Sequence, residues 1–270
     1  MIARAAVYGM LALGSVVTVF PFVWMVSTSL KTSREATASS IDLIPATWRW
    51  GNFAEAFQAA PFARYFYNTF LVAGVVTGAV IVTSLLAGYA LSRLHFRGRS
   101  AVFAFVLATM MVPFEVALIP NFLLIRDLGW YNTYAALIVP WCANAFSIFL
   151  VRQSFLTLPM DFFEAAKVDG CGHLRFLTWI AAPLIRPTIV TIALFSFLGS
   201  YNSLLWPIIV TNDESMRLIQ YGLTVFWGEA GVQINLLMCA STIVIAPTVA
   251  LYFLAQRNFL ESSLNAGIKG

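Results

Sequence analysis

Residues 66–91 read FYNTFLVAGVVTGAVIVTSLLAGYAL, a run of 26 residues without a charged side chain. About 20 helical residues are enough to cross the hydrocarbon core of a bilayer. The apolar residues form a continuous run and do not alternate with polar ones, which indicates a membrane-spanning helix and not a strand of a β-barrel. This segment therefore predicts a helical membrane protein.

The composition of the whole chain supports the same class. Hydrophobic residues make up 60% of the 270 residues and charged residues only 10%, whereas soluble domains carry about 25% charged residues. Six apolar runs predict an all-α polytopic membrane protein with one transmembrane domain over residues 1–270. The predicted spans are residues 5–30, 66–91, 101–119, 134–150, 183–206 and 233–254.

Basic residues in the short loops predict which side of the membrane each loop occupies. The net charge of +4 comes from Lys and Arg residues scattered between apolar runs, which excludes a nucleic-acid-binding surface. Three arginines lie within residues 92–100, and three further cations lie within residues 152–175. Short loops rich in such residues stay in the cytoplasm. The first loop on the opposite side also carries four cations, but six spans must return both termini to one side, so both termini are predicted to be cytoplasmic.

The loop between the fourth and fifth spans, about residues 153–182, has an ordered pattern. Pro159 suits the start of a helix because its missing N–H would be unpaired there. Gly170 can adopt the left-handed backbone conformation that ends a helix. A short helix from about Met160 to Asp169 is predicted. Small residues, Ala165 and Ala166, leave one side of this helix without bulky side chains, so that a partner could approach its backbone closely. A second helical pattern follows it, and Pro183 is expected to open the fifth span.

Six residues of this loop are spaced like a known cytoplasmic signature. In the signature, Glu-Ala-Ala is followed by three residues, Gly, nine residues, and then Ile, any residue, Leu and Pro. Ala182 stands where the signature has Leu. The matching residues are Glu164, Ala165, Ala166, Gly170, Ile180 and Pro183. With this spacing, the chain resembles the permease subunits of bacterial ATP-binding cassette (ABC) importers.

The resemblance extends over nearly the whole chain and is greatest to the carbohydrate-uptake branch, which includes the second maltose permease subunit. The stretches that carry it are TSLK, YALSRLHFRGR, MMVPFEVALIPNFLL, LGWYNTYAALIVP, FLVRQSF, FLGSYNSLLWPIIV and AQRNFLESSLNAGIKG. It implies the type I importer fold, with six transmembrane helices and a cytoplasmic coupling helix. It also implies a location in the bacterial inner membrane.

The resemblance implies several partners for this chain. The coupling helix is expected to sit in a groove of an ABC ATPase dimer, which would bind ATP and Mg²⁺. A second permease subunit would complete the solute path, and an extracytoplasmic solute-binding protein would deliver the solute. The residues implied in coupling are Glu164, Ala165, Ala166, Asp169, Gly170, Ile180 and Pro183.

The residues give no sign of catalysis or of a cofactor in this chain. The G-x-x-x-x-G-K-[ST] phosphate loop does not occur in the sequence, so energy is expected to come from a partner. Cys171 and His173 together offer too few ligands for a metal site. We therefore expect three free thiols, no metal and no enzymatic activity.

Candidates for the solute path lie in the third and fifth apolar runs. Glu115 is the carboxylate of the third run, and acids within spans are commonly functional. A helix start in the headgroup zone is the alternative interpretation of Glu115. Tyr201, Asn202, Ser203 and Trp206 offer the aromatic faces and hydrogen-bonding groups that bind sugars, although packing or interfacial anchoring explains Trp206 equally well.

Two other classes of membrane protein compete with the permease hypothesis. An ion-coupled secondary transporter usually carries several ionisable residues at mid-membrane, and here only Glu115 comes close. A membrane-embedded enzyme would need a catalytic motif, and neither H-E-x-x-H nor G-x-S-x-G occurs. The nature of the solute stays open at this point, with disaccharides, oligosaccharides, polyols and glycerol phosphate esters as possibilities.

Overall fold

The computed structural model describes residues 2–40, 42–228 and 231–267, with side chains except at residues 2, 3, 5, 255 and 257–267. The fold is mainly helical, as predicted. The helices are α1 Ile2–Ser29, α2 Ser33–Ala36, α3 Gly51–Gln58, α4 Phe62–Arg93, α5 Arg99–Thr109, α6 Phe114–Asp127, α7 Tyr134–Ile138, α8 Ala145–Thr157, α9 Asp161–Val168, α10 His173–Phe176, α11 Ala182–Leu184, α12 Arg186–Tyr201, α13 Leu205–Val210, α14 Ile219–Gly222 and α15 Ile234–Gly267. Two short strands, β1 Trp227–Gly228 and β2 Gly231–Val232, pair antiparallel.

Short irregular helices connect several of these elements. Three-residue or four-residue 3₁₀ turns occur at Val139–Trp141, Glu214–Met216 and Leu223–Phe226. A π-helical turn, Leu177–Ala181, joins α10 to α11. The chain divides into two compact units, one of Met1–Arg64 with Ile219–Ala250 and the other of Tyr65–Leu218 with Leu251–Gly270. The sequence predicted one domain, and each unit is described separately below.

Four stretches of the described chain are apolar and long enough to cross a membrane, namely Ala6–Ser29, Phe62–Arg93, Tyr134–Thr157 and Ile234–Leu254. Two bent helix pairs raise the number to six if each pair forms one span. The first pair, α5 and α6, bends by 97° where the sequence predicted one run over residues 101–119. Pro113 precedes α6, and its fixed φ and missing N–H favour a break at this point.

The fifth span also differs from its predicted boundaries of 183–206. Pro183 lies inside α11, and the chain bends by 86° before α12 begins at Arg186. Pro187 occupies the first turn of α12. The backbone N–H groups of a first turn have no partner within the helix, so a proline at this position costs the helix no hydrogen bond. Pro187 thus has the role that the sequence assigned to Pro183. Helix α12 ends at Tyr201, so Trp206 belongs to the separate helix α13.

In the first unit, the side chain of Asn52 ties the end of α1 to α3. Its buried amide nitrogen donates hydrogen bonds of 2.8 Å to the carbonyl oxygens of both Ser29 and Lys31. The thiol of Cys239 also donates to the Ser29 carbonyl. These donors satisfy carbonyl groups that the end of a helix leaves unpaired.

Helix α2 begins with a capping box. The backbone N–H and the hydroxyl of Thr32 each donate to the carboxylate of Glu35, and the Glu35 N–H donates to the Thr32 hydroxyl. The hydrogen bond from the Thr32 backbone is the largest cause of a lowered pKa of Glu35, followed by that from its hydroxyl. The charged carboxylate is the form that holds this turn together.

In the second unit, α4 packs closely against α8. A methyl group placed on Gly88 would lie 2.7 Å from a methyl carbon of Val151 and 3.0 Å from the backbone nitrogen of Arg152. Small residues let membrane helices approach in this way, and α4 also carries Gly74, Gly78 and Ala87. At Gly74 and Gly78, a methyl group would have no neighbouring atom of the described residues within 4 Å. Of the glycines among these four, only Gly88 is therefore at a close helix contact inside the chain.

Candidate functional site

The loop between α8 and α12 forms a structured turn, which we call the elbow and define as residues 160–176. Helix α9 of the elbow spans Asp161–Val168, close to the predicted helix, with Met160 and Asp169 as its flanking residues. Asp161 and Glu164 lie in the first turn, where the positive end of the helix dipole favours negative charge.

Gly170 ends α9 in the conformation that the sequence predicted. Its φ is +71°, in the left-handed region that glycine adopts without a steric cost. The Gly170 N–H donates to the Lys167 carbonyl at 3.1 Å, and the Cys171 N–H donates to the Ala166 carbonyl at 2.8 Å. These two hydrogen bonds form a Schellman motif, which fixes the direction of the chain after the helix.

The residues of the signature lie on two different faces. Glu164, Ala165 and Asp169 are exposed, whereas Ala166 is only 5% exposed. Ala166 packs into a cluster that we call the elbow core, and Ile180 packs against the same cluster. The buried members of the elbow core are Tyr89, Val151, Phe155, Ala166, Phe176, Leu177, Ala181, Ile185 and Ile192.

The burial of Ala166 corrects one detail of the sequence interpretation. Both alanines were expected to leave a low flank for a partner, but only Ala165 is available for this. Ala166 stabilises the elbow against its own chain, and Pro183 is exposed within α11.

The sequence analysis did not identify two exposed apolar residues of α9, Phe162 and Val168, on the face that we call its outer face. Val168 is 88% exposed and Phe162 is 46% exposed. They lie near Ala165 and Asp169 at helical spacing, so this face of α9 mixes apolar and acidic groups. The sequence signal that could have identified them is that they are apolar residues in a loop that is otherwise rich in charged residues. Such a face suits contact with another protein better than contact with water.

A second candidate site is a cavity of about 250 Å³ within the second unit. Its wall combines aliphatic residues of α4 with polar residues of α12 and the start of α8, and with two tryptophan rings. The lining residues are Val72, Val76, Val80, Leu137, Trp141, Ala143, Asn144, Phe195, Ser196, Gly199, Ser200, Ser203, Trp206, Pro207 and Leu218. The cavity thus joins several hydroxyl groups and one amide to apolar and aromatic surface.

The structure brings only some of the predicted path residues to this cavity. Ser203 and Trp206 line it, and the Trp206 indole N–H donates to the Ala136 carbonyl at 2.9 Å. Tyr201 is buried instead between other rings, with centroid distances of 5.8 Å to both Phe70 and Phe197. Asn202 is exposed at the end of α12 and is not part of the lining.

Glu115 also lies apart from the cavity lining. It is exposed in the first turn of α6, which is the helix-start position that the sequence analysis offered as its alternative. The sequence analysis missed Asn144, Ser196 and Ser200 because polar residues within a span are not distinctive by themselves. Ser196 and Ser200 precede Ser203 by seven and three residues in the sequence, and this helical spacing was the available signal.

Comparison with known proteins agrees with this architecture. Residues 79–260 match the model of the family described as binding-protein-dependent transport system inner membrane components. The chain is 34% identical to the sn-glycerol-3-phosphate transport system permease protein UgpE of Rhizobium meliloti, covering 93% of each chain. It is 32% identical to the arabinooligosaccharides transport system permease protein AraQ of Halalkalibacterium halodurans, covering 94% of this chain and 92% of that one.

Solved structures show the same fold. A chain of a bacterial ABC transporter involved in the import of the acidic polysaccharide alginate aligns with a TM-score of 0.81 and 24% identity, covering 95% of this chain and 96% of that one. A chain of the MetNI methionine ABC transporter aligns with a TM-score of 0.56 and 18% identity, covering 73% and 93%. The chain therefore belongs to the binding-protein-dependent transport system inner membrane components and is a permease subunit of an ABC importer.

Proposed function

We propose that this permease carries a carbohydrate or a related polyhydroxylated solute and that its elbow couples transport to a separate ATPase dimer. The observation that supports the solute class best is the cavity. Its hydroxyl and amide groups can exchange hydrogen bonds with a hydroxylated solute, and its tryptophan rings offer apolar faces to the carbon skeleton. Ligand sites commonly combine an apolar wall with a few polar groups in this way.

The relatives support the same class of solute. The names of two of them refer to sn-glycerol 3-phosphate and to arabinooligosaccharides, both of which are rich in hydroxyl groups. The volume of about 250 Å³ is small, so a larger solute would occupy this cavity with only part of its length.

The outer face of α9 supports the proposal for coupling. Phe162, Ala165 and Val168 are apolar, exposed and flanked by Glu164 and Asp169. On this proposal the ATPase subunit accepts that face in a groove and binds the ATP and Mg²⁺ itself. The chain has no phosphate-loop motif of its own.

The exposed apolar surface supports a second permease subunit. Large side chains along α1 are exposed, among them Tyr8, Met10, Leu11, Leu13 and Val16. In a membrane such a helix contacts lipid or another membrane protein. We propose that a second permease chain completes the path and that a soluble binding protein delivers the solute on the extracytoplasmic side. The termini and the elbow are then cytoplasmic, in accordance with the arginine-rich loops.

Reconstitution in proteoliposomes tests this function. The complex of this chain with a second permease subunit and the ATPase dimer is supplied with binding protein and with radiolabelled sn-glycerol 3-phosphate, arabinotriose or an alginate trisaccharide. We expect uptake of at least one probe that requires both ATP and the ATPase. Uptake driven by an ion gradient in vesicles that lack the ATPase would overturn the ATP-driven mechanism, and uptake of methionine with none of these probes would overturn the solute class.

Filling the cavity tests its part in transport. Ser200→Leu places a larger side chain in the lining and is expected to lower uptake about tenfold, equivalent to about 1.4 kcal/mol in the barrier, while ATP hydrolysis continues. Thr191→Leu is the matched control, because Thr191 lies on the same helix but outside the lining. Equal uptake by the two variants would show that the solute does not pass this cavity.

A further inference from the structure

The last turn of α4, residues 89–93, belongs to the stretch YALSRLHFRGR. The proposed function assigns no role to this stretch. Tyr89 and Arg93 are four residues apart in this turn, so their side chains share one face of the helix. That face is directed toward the elbow. Tyr89 is only 4% exposed and is a member of the elbow core.

Arg93 contacts the chain where the elbow starts. One terminal nitrogen of its guanidinium donates to the carbonyl oxygens of Phe155 and Leu158, at 2.5 and 2.7 Å. The other lies 2.9 Å from the sulfur of Met160. Phe155 and Leu158 lie at the end of α8, where unpaired carbonyl groups and the helix dipole favour a cation. The arginine therefore joins the ends of α4 and α8 at the base of the elbow.

Tyr89 contacts the chain where the elbow ends. Its hydroxyl lies 2.8 Å from Nδ1 of His173. Its ring lies 6.0 Å from that of Phe155 and 6.1 Å from that of Phe176, measured between centroids. One residue of α4 thus contacts both α8 and α10.

Helix α9 is connected to the same group of residues through Phe163. Its ring stacks on His173 with a centroid distance of 5.9 Å and an interplanar angle of 26°. It also meets the ring of Phe176 edge-on at 5.3 Å. A force on α9 would therefore reach α4 by way of His173, Phe176 and Tyr89.

Helix α4 also forms part of the cavity wall. Val72, Val76 and Val80 line the cavity, and Val80 is nine residues before Tyr89. At about 1.5 Å per residue this separation is about 14 Å along the helix axis. No proline interrupts the helix between them, so this part of α4 can move as one body.

We propose that Tyr89 and Arg93 are positioning residues that lock the elbow to α4, so that a movement of the elbow moves the cavity wall. This inference rests on the proposed docking of α9 on the ATPase. Arg93 holds the start of the elbow and Tyr89 holds its end. If either contact is lost, the ATPase can still move α9, but the movement is transmitted less completely to α4.

The test measures solute uptake and ATP hydrolysis together. The full complex in proteoliposomes receives binding protein and the radiolabelled probe, sn-glycerol 3-phosphate or arabinotriose, that the wild-type complex takes up. Arg93→Ala and Tyr89→Phe are expected to lower the number of solute molecules transported per ATP by about fivefold, the low end of typical coupling between sites. The ATPase should still copurify. Arg97→Ala is the control, since Arg97 is exposed and lies in the loop that follows α4.

Two further variants distinguish positioning from loss of fold. Arg93→Lys should restore part of the ratio, because one ammonium group can bind one of the two carbonyl oxygens. Tyr89→Phe and His173→Ala should not be additive when combined, because both remove the same contact. Full additivity, or a wild-type ratio in both Arg93→Ala and Tyr89→Phe, would overturn the inference.

The outcome also separates this inference from the proposed function. Glu164→Ala alters α9 itself, and Gly170→Val alters the turn that ends it. Both variants are measured in the same assay. If they impair uptake while the Tyr89 and Arg93 variants keep the wild-type ratio, the positioning role is wrong and docking stands. If neither set affects uptake or ATPase binding, the docking of α9 is wrong, and the positioning role falls with it.

Discussion

Gly170→Val should lower solute uptake about tenfold or more while the permease still folds and inserts. Gly170 has a φ of +71°, and a side chain in the left-handed region costs about 1–2 kcal/mol, with β-branched residues among the least tolerated. Steric crowding by neighbouring atoms is not the cause of the expected loss, since a methyl group on Gly170 would have no neighbour within 4 Å among the described residues. The expected loss comes from the backbone, because a different φ would break the Schellman hydrogen bonds and turn α9 away from the ATPase on which we propose that it docks. Uptake in proteoliposomes and copurification of the ATPase measure the effect.

Two variants serve as controls for this prediction. Gly170→Asn should retain more uptake than Gly170→Val, because asparagine tolerates the left-handed conformation better than valine. Gly172→Ala should be nearly neutral, since Gly172 has an ordinary φ of −71° and equally open surroundings. Normal uptake by Gly170→Val would mean that the elbow geometry does not matter for coupling.

Gly88→Ala should destabilise the permease by about 1–3 kcal/mol, the usual cost of overpacking a tight contact. The added methyl group would lie 3.0 Å from the backbone nitrogen of Arg152 as well as 2.7 Å from Val151. A backbone atom cannot move aside as a flexible side chain can, so α4 and α8 must separate. The thermal unfolding temperature of the purified complex in detergent should fall by several degrees.

Gly78→Ala is the matched control, because it makes the same change in the same helix where no described atom lies within 4 Å. Combining Gly88→Ala with Val151→Ala should recover part of the loss, since it removes the nearest of the three close contacts, that with the Val151 methyl carbon, and leaves those with Val151 Cβ and the Arg152 nitrogen at 3.0 Å. If Gly88→Ala unfolds at the wild-type temperature, the close approach of α4 and α8 at this point is wrong.

Local features of the fold could be predicted from the sequence. The apolar runs predicted helices that are long and apolar enough to cross a membrane, of which the described chain has four, or six with the two bent pairs, because hydropathy is summed over consecutive residues. Gly170 could be placed in the left-handed region because helix ends have local signals. The bend between α5 and α6 could not be located in the same way, because two prolines, Pro113 and Pro120, lie close together in this part of the sequence. Pro120 lies inside α6, and only the surrounding structure decides which proline ends a helix.

Features that depend on distant contacts were missed or misjudged. Arg93 was interpreted only as a topology signal, whereas it binds carbonyl groups more than 60 residues away in the chain. Nothing in the sequence indicated that Tyr201, predicted on the solute path, packs against Phe70 of α4 and lies outside the cavity lining. No local pattern specifies which face of a span meets a neighbouring helix. The cavity lining could be known only once the helices were packed.

The measurement that tests the central claim most directly is photo-crosslinking from the outer face of α9. Val168, which is 88% exposed, is replaced by p-benzoylphenylalanine, and the assembled complex is irradiated with and without ATP. We expect an adduct of this chain with the ATPase subunit whose yield changes when ATP is added. Met111, which is 84% exposed between α5 and α6, is the control position and should give no such adduct. The account would be contradicted if position 168 formed crosslinks only with lipid or with its own chain in a complex that is shown to contain the ATPase.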